Sequence, residues 1–307
     1  MRLKVNKLLK ILPDCYVCAM RQALSAARLI SDGEEFQRRC LREAARLLVE
    51  SRCDITPPEA GEGIYRMIRE ISQVQDPFAQ QKRQQNQAVE AILPWLRETV
   101  AGAADPLLMA VRLAIAGNVV DTGAQASFDL EKSVIEAVAP RNGLEQFDAF
   151  ASSLARADTV LLVADNSGEI VFDLVLIETM RRLRAGELDV TVAVRAAPII
   201  NDVTEAEARQ VGIDAVARII SSGSEMPGTV LARTTREFRE IFEAADLVIS
   251  KGQGNWETLD ELDECSREVF FMFQAKCPAV AAINACKEGV SLLLKKGQAP
   301  STFTAER

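Results

Sequence analysis

The sequence predicts an α/β protein with a mainly parallel sheet, helices on both faces of that sheet, and an all-helical N-terminal region. Two observations support this fold class. Up to about residue 148, apolar residues recur at helical spacing, as Ala19, Ala23 and Ile30 do. From Asp158 onward, short apolar and β-branched runs alternate with helical stretches, which is typical of a parallel sheet with crossover helices.

Prolines divide the helical half into several segments. The periodic pattern is interrupted at Pro57-Pro58, Asp76-Pro77, Pro94 and Asp105-Pro106. No heptad pattern persists over several repeats, so a coiled coil is not expected. We therefore predict a bundle of several helices.

Five buried strands are predicted in the second half of the chain. They cover Thr159–Val163, Val190–Val194, Ala217–Ile220, Leu247–Ile249 and Glu268–Phe273. Two capping boxes, Thr204 with Glu207 and Thr234 with Glu237, predict the starts of helices between these strands.

The length of the chain allows one large or two medium domains. At ordinary domain sizes, 307 residues leave ample room for a buried core. Because the periodicity changes in the middle of the chain, we expect a helical domain over residues 1–148 and a sheet-containing domain over residues 149–294. The polar residues 295–307 are expected to form a frayed tail.

The composition argues against several classes of function. Lys plus Arg total 36 and Asp plus Glu total 44, so the formal charge is 36 − 44 = −8, which disfavours binding to nucleic acid. No run approaches the ~20 apolar residues that a membrane-spanning helix needs. The first residues also lack the apolar region of a secretory signal. We expect a cytoplasmic protein without membrane partners, and the sequence does not indicate its oligomeric state.

The histidine and cysteine content limits the chemistry further. Histidine is absent, which excludes an imidazole base and zinc sites with histidine ligands. The seven cysteines are expected to be free thiols or metal ligands in a reducing compartment. Cys15 and Cys18 have the spacing of thiol-metal or redox pairs, but a second such pair is missing from the sequence. Burial of the two cysteines as small apolar residues is the alternative.

Polar residues follow the first two predicted strands. Asp165-Asn166-Ser167-Gly168-Glu169 comes directly after the first strand and leads into a helix, and Asn201-Asp202 follows the second strand. Parallel sheets place ligands at this edge, and carboxylate and amide oxygens suit Mg²⁺ or Mn²⁺. Gly168 at the helix N-terminus would also let an anion approach. The alternative is that both segments only cap helices or form turns.

Lysines follow the last two predicted strands. Lys251-Gly252-Gln253-Gly254-Asn255 resembles a phosphate-binding loop but lacks the Walker spacing, so a plain turn is the alternative. Lys276 lies beyond the fifth strand, where it would present a positive charge to a phosphate or simply lie on the surface.

Two further polar residues, Asn118 and Asp121, lie among small and apolar neighbours. Polar groups in such a context need partners, so these residues either cap a helix or project into a site.

Taken together, these segments resemble the damage-control phosphatase family, which is also linked to acidic-residue methyltransferase-like proteins. The matching motifs are, in chain order, Cys15-x-x-Cys18, Asp76-Pro77-Phe78 with Lys82 and Asn86, Gly117-Asn118-x-x-Asp121, Asp165-Asn166-x-Gly168-Glu169, Asn201-Asp202, Lys251-Gly252-x-Gly254-Asn255, and Lys276. The Cys-x-x-Cys element resembles the prokaryotic subgroup. The sugar-phosphate subgroup has Arg-Thr-x-Lys where this chain has Phe273-Gln274-Ala275-Lys276, so sugar-phosphate specificity does not follow.

The resemblance implies a helical domain on a three-layer α/β/α domain and a metal-dependent phosphatase of small phosphorylated metabolites. It implies a divalent cation (Mn, Mg, Co or Ni) on Asp165, Asn166 and Asp202. We expect Lys251 and Lys276 to neutralise charge on the phosphoryl group, and either water or Asp165 to be the nucleophile. The remaining expected substrate contacts are Asn118, Asp121, Gly168, Glu169, Gly252, Gly254 and Asn255.

Two other functions remain open from the sequence. A carboxyl methyltransferase that uses S-adenosylmethionine would need no metal, although the loop at Asp165 lacks the glycine-rich pattern of a cofactor-binding turn. A non-enzymatic protein that binds metal through Cys15 and Cys18 is the other alternative.

Overall fold

A computed structural model of the chain describes residues 10–117, 127–138, 143–260 and 267–298. The α-helices in these ranges are α1 Pro13–Ile30, α2 Glu34–Glu50, α3 Pro57–Ser72, α4 Ala79–Glu90, α5 Leu93–Ala101, α6 Pro106–Ala116, α7 Ser127–Val138, α8 Phe147–Arg156, α9 Glu169–Leu183, α10 Glu205–Gln210, α11 Arg236–Ala244, α12 Gln253–Leu259 and α13 Pro278–Ile283. The strands are β1 Thr159–Val163, β2 Asp189–Val194, β3 Arg218–Ser221, β4 Leu247–Lys251, β5 Glu268–Gln274 and β6 Ser291–Lys295.

The six strands form one sheet in the order β3-β2-β1-β4-β5-β6. All neighbours are parallel except β5 and β6, which are antiparallel. The predicted α/β fold with a mainly parallel sheet is therefore confirmed. The strand order reverses between β1 and β4, and open sheets of this kind bind ligands in the crevice at that reversal.

Strand β6 is a difference from the prediction of five strands. Three leucines between Ser291 and Lys295 are as compatible with a helix as with a strand, so a run this short has no decisive periodicity. Lys295, expected in a frayed tail, is the last residue of β6 and forms a 2.7 Å salt bridge with Glu268.

Helices cover both faces of the sheet because consecutive residues of the central strands are apolar, so that apolar side chains lie on both faces. Val160 and Leu162 of β1 pack with helices α4 to α10, whereas Leu161 and Val163 pack with α11, α12 and α13. This arrangement gives the three layers expected from the sequence. No helix in the described part of the chain is both long enough and apolar enough to cross a bilayer.

Helices α1, α2 and α3 have a separate apolar core. Small residues such as Ala23 and Ala27 allow α1 to approach its neighbours closely, and Ile199 from the loop after β2 packs into the same core. The boundary expected at residue 148 falls within α8, and the helices from α4 onward share their core with the sheet. The division into two domains stays a prediction.

The two predicted capping boxes have different outcomes. Thr204 and Glu207 form the predicted box at the start of α10, with the Thr204 backbone N–H donating to Glu207 Oε2 at 2.9 Å. The box at Thr234 is wrong, because the next residue, Thr235, caps α11 and accepts a hydrogen bond from the Phe238 N–H.

Candidate active site

The loops after β1 and β2 lie side by side at the carboxyl edge of the sheet. Asn166 and Asp202 pair as an isolated antiparallel bridge. The Ser167 N–H donates to the Asn201 carbonyl at 2.8 Å, and the Val203 N–H donates to the Asp165 carbonyl at 2.9 Å. The backbone therefore brings together Asp165, Asn166 and Asp202, which are distant in sequence.

Each of these three side chains keeps one oxygen without a hydrogen bond from the described residues. Asn166 Nδ2 donates to Asp165 Oδ2 at 2.7 Å, and Arg195 Nε donates to Asp202 Oδ2 at 2.7 Å. The Oδ1 atoms of Asp165, Asn166 and Asp202 accept no hydrogen bond from the described residues, although Arg195 Nη2 lies 3.9 Å from Asp165 Oδ1. Two carboxylates and one amide oxygen fit a hard divalent cation. The described residues contain no group of three or more His, Cys, Asp or Glu side chains suited to a metal, so a three-ligand set here has to include another residue type, such as the amide of Asn166.

The two carboxylates repel each other in a buried setting. Burial raises the pKa of Asp202 to about 7, the Arg195 guanidinium opposes that rise, and the charge of Asp165 adds to it. A cation between the two carboxylates would relieve this repulsion.

Arg195, at the end of β2, holds Asp202 in place and was not among the predicted site residues. The guanidinium is 2% exposed and donates to Asp202, to the Gly228 carbonyl, and to the side chains of Thr229 and Asn255. The signal that could have found it is a charged residue continuing a buried apolar strand, since buried charges need partners.

Gly252, after β4, lies against the carboxylate of Asp165. Its φ is +81°, and a Cβ at this position would lie 2.0 Å from Asp165 Oδ2. Only glycine fits here, because the position combines a left-handed backbone with a contact too close for any side chain. The β4 loop thus approaches the β1 loop, as the strand-end pattern predicts.

The backbone N–H groups of Gly168 and Gly252 are already engaged. The Gly168 N–H donates to Asn86 Oδ1 at 2.6 Å, and the Gly252 N–H donates to the Met272 carbonyl at 3.0 Å. A Cβ on Gly254 would lie 2.0 Å from the Pro227 carbonyl oxygen, so this glycine serves close packing. The substrate contacts expected at these glycines therefore have to come from other groups.

Asn255 is fully buried and its side-chain amide is fully hydrogen-bonded. Nδ2 donates to the carbonyls of Ala164 and Lys251, and Oδ1 accepts from Arg195 and Thr229. Asn255 therefore positions the loop after β1 and the Arg195 guanidinium, rather than offering free donors to a substrate.

Lys251 is fully buried, and its ammonium group has three acceptors within the protein. Nζ donates to the Ala114 carbonyl at 2.8 Å, to Glu169 Oε1 at 2.6 Å and to Asp173 Oδ1 at 2.7 Å. Burial alone would lower the pKa of Lys251, but Asp173 and Glu169 together raise it above its usual value. This geometry leaves neither Lys251 nor Glu169 free for the phosphoryl contacts expected from the sequence.

Lys276, in contrast, is exposed and forms no salt bridge with the described residues. Its backbone N–H donates to Gln253 Oε1 at 2.9 Å, which fixes the start of its side chain beside α12. Burial raises the pKa of both Asp202 and Glu257, and the positive charge of Lys276 is among the effects that oppose this rise, which couples Lys276 to the candidate metal residues. This placement suits the role expected for it.

Two motif residues on α4 stabilise the elements around the candidate site. Asn86 is fully buried, and its Oδ1 accepts a hydrogen bond from the Gly168 N–H. Lys82 Nζ lies 2.6 Å from Asp76 Oδ2 and 2.7 Å from Glu207 Oε1, which ties α4 to α10. Both residues are motif positions for which the sequence predicts no role.

The other expected site residues have different outcomes. Asn118 and Asp121 lie outside the described residues. Cys15 is half-buried and Cys18 is exposed, both in the first turns of α1. The charges of Glu257 and Cys277 contribute to raising the pKa of both thiols, after the larger effect of burial. The pair therefore faces the loops at the carboxyl edge of the sheet.

Comparison with known proteins gives a consistent set of matches. The sequence model of the damage-control phosphatase ARMT1-like domain matches residues 11–292. A damage-control phosphatase of Pyrococcus horikoshii is 32% identical over 89% of this chain and 93% of its own length, and one of Archaeoglobus fulgidus is 32% identical over 89% and 94%. The crystal structure of a DUF89 family protein from P. horikoshii superimposes with a TM-score of 0.86 and 30% identity over 94% of this chain and 99% of that chain.

Proposed function

The chain belongs to the damage-control phosphatase ARMT1-like domain family, and we propose on that premise that it is a phosphatase that hydrolyses phosphomonoesters of small metabolites with a divalent cation. The observation that carries the proposal is the meeting of Asp165, Asn166 and Asp202, each with one oxygen free of hydrogen bonds from the described residues. The names of two relatives support phosphatase activity.

The residues around the cation site have separate tasks in this proposal. When bound, the cation supplies positive charge that stabilises the phosphoryl oxygens. Lys276 adds a second positive charge at the open side of the site, and Arg195 keeps Asp202 oriented. Rapid-quench trapping of a phosphorylated Asp165 would distinguish attack by this carboxylate from attack by water.

The direct test is phosphate release from a panel of phosphorylated metabolites. Protein stripped of metal by a chelator should release no phosphate, and Mg²⁺, Mn²⁺, Co²⁺ or Ni²⁺ should restore release. Full turnover by the metal-stripped protein would contradict the proposal. Transfer of a methyl group from S-adenosylmethionine without any metal would support the methyltransferase alternative instead.

Replacing Asp202 with asparagine should weaken cation binding at least roughly tenfold while the metal-free fold is retained. Asparagine keeps the size and one oxygen of the side chain but loses the charge that the cation needs. Calorimetric titration of the cation, together with thermal melting of metal-free protein, measures both effects. Asp189→Asn, at the exposed start of β2, the strand that precedes the Asp202 loop, is the control. Unchanged affinity for Asp202→Asn would remove this residue from the cation site.

Replacing Lys276 with alanine should lower kcat/KM roughly tenfold, because one charge that stabilises the transition state is lost. We expect less than the full effect of a buried donor, since Lys276 is exposed to solvent. Steady-state kinetics with the best substrate of the panel measures the loss. Lys287→Ala, an exposed lysine after α13, should leave kcat/KM unchanged. Equal kinetics of the two variants would exclude Lys276 from the site.

A further inference from the structure

Three buried carboxyl groups near the site have a pKa raised to about 7, chiefly by burial: Glu169, Asp202 and Glu257. They differ in what surrounds them. Asp202 belongs to the proposed cation site, and Glu169 is bonded to Lys251 beneath the loop. Glu257 has neither role and forms no salt bridge with the described residues, so the burial of its carboxyl group needs another explanation.

Glu257 lies on α12, one helical turn after Gln253. Gln253 Nε2 donates to Glu257 Oε1 at 2.7 Å, and Gln253 Oε1 accepts the Lys276 N–H at 2.9 Å. These bonds fix Glu257 beside the residue that carries the free positive charge of the site. Glu257 Oε2 accepts no hydrogen bond from the described residues, although the residue is only 7% exposed.

The charged and titratable groups around Glu257 come from several elements. The charge of Asp165, after β1, raises its pKa, whereas the charge of Lys276, after β5, lowers it. After the larger effect of burial, the charge of Glu257 also contributes to raising the pKa of the Cys15 and Cys18 thiols of α1. Glu257 thus interacts electrostatically with both Asp165 and the first turns of α1.

Few other groups near the site can give up a proton at neutral pH. The chain has no histidine. Burial raises the pKa of the Tyr65 phenol and of the Cys15 and Cys18 thiols, so each holds its proton too firmly. Lys276 is more useful as a fixed positive charge. A carboxyl group that retains its proton near neutral pH is the better acid.

We infer that Glu257 is the acid that protonates the leaving oxygen of the substrate, and that the leaving group lies between Glu257, Lys276 and the first turns of α1. This inference rests on the proposed phosphatase function. It makes Glu257 a catalytic residue that sequence reasoning did not select.

The proton and electron balance of the step is simple. The bond between phosphorus and the leaving oxygen breaks, its electron pair stays on that oxygen, and the oxygen takes the proton from Glu257. One water molecule supplies the oxygen of the new bond to phosphorus and gives up one proton to solvent. Glu257 regains its proton from solvent, so the net reaction consumes one water molecule.

The inferred role also narrows the substrate class. An acid is most useful when the leaving group is a poor one, as the alkoxide of an aliphatic alcohol is. Acyl phosphates and phosphoanhydrides leave without such help. The substrates are therefore phosphomonoesters of aliphatic alcohols.

The test compares p-nitrophenyl phosphate with phenyl phosphate, which have similar shape but a good and a poor leaving group. Glu257→Gln should lower kcat/KM for phenyl phosphate roughly 10²-fold or more, and that for p-nitrophenyl phosphate much less. The fall in wild-type kcat/KM at alkaline pH should disappear in this variant. Glu257→Asp, which keeps the acid, should recover part of the activity toward phenyl phosphate.

The control is Glu243→Gln, an exposed glutamate on α11, which should leave both substrates unaffected. Equal losses for the two substrates in Glu257→Gln would overturn the inference, since a structural defect does not depend on the leaving group. A wild-type protein that releases no phosphate from either aryl phosphate or from any member of the metabolite panel, with any of the four cations, would overturn the proposed function itself. The two failures are therefore distinguishable.

Discussion

Replacing Gly252 with alanine is expected to lower kcat/KM roughly a hundredfold or more, because the added methyl group would displace a residue at the centre of the site. The Cβ would lie 2.0 Å from Oδ2 and 2.1 Å from Cγ of Asp165. The backbone cannot adjust easily, since the Gly252 N–H is bonded to Met272 in the next strand. Asp165 would have to move, and cation binding should weaken with it.

Calorimetric cation titration and steady-state kinetics on Gly252→Ala measure both consequences. Gly186→Ala is a matched control because Gly186 has a φ of +83° but no heavy atom within 4 Å of an added Cβ. It shares the positive φ without the contact, so it should lose stability but not cation affinity. Normal cation affinity in Gly252→Ala would show that Asp165 is not a required ligand.

Replacing Lys251 with methionine is expected to destabilise the fold by about 3–5 kcal/mol, because two buried carboxylates lose their shared positive partner. Oε2 of Glu169 and Oδ2 of Asp173 already have no hydrogen-bond partner among the described residues. Urea unfolding measures the loss. The double variant Lys251→Met/Asp173→Asn should recover part of it, since one unpaired charge is then removed.

The loss in Lys251→Met should depend on pH. Even with the lysine present, burial raises the pKa of Glu169 to about 7, well above the value of about 4.3 for an unfolded glutamate. A carboxyl with a raised folded pKa keeps its proton longer in the folded than in the unfolded state, so stability falls as pH rises from about 4.3 to about 7. The fall should be larger in Lys251→Met, where Glu169 has lost its positive partner. A variant with normal stability but no activity would instead assign Lys251 the phosphate contact expected from the sequence.

The positions of the strand ends in the sequence predict that the candidate cation residues meet, but they do not predict which way each side chain points. Asp165 and Asp202 were predictable because parallel strands end at one edge of the sheet. Lys251 could have been assigned better, since Leu247, Ile249 and Lys251 alternate along β4 and therefore face the same layer. That alternation places Lys251 on the face of the sheet that α9 covers, and not at the carboxyl edge of the sheet.

Partners that are distant in sequence were beyond the reach of pattern reasoning. Arg195 and Asn255 lie 60 positions apart and are joined only by the folded chain. The pairing of Asn86 with Gly168 spans 82 positions in the same way. Short motifs reveal residue types at a site, whereas these hydrogen bonds depend on how the layers pack.

The anchoring of the β2 loop in the helical core has a thermodynamic consequence. Ile199 packs into the core of α1, α2 and α3, and Arg69 of α3 donates to the Pro198 carbonyl at 2.5 Å. Asp202 follows within a few residues, so local unfolding of these helices would release one side of the cation site. Ligand occupancy and the opening of α3 are therefore linked equilibria, and a bound cation should slow amide hydrogen exchange in helices that never touch it.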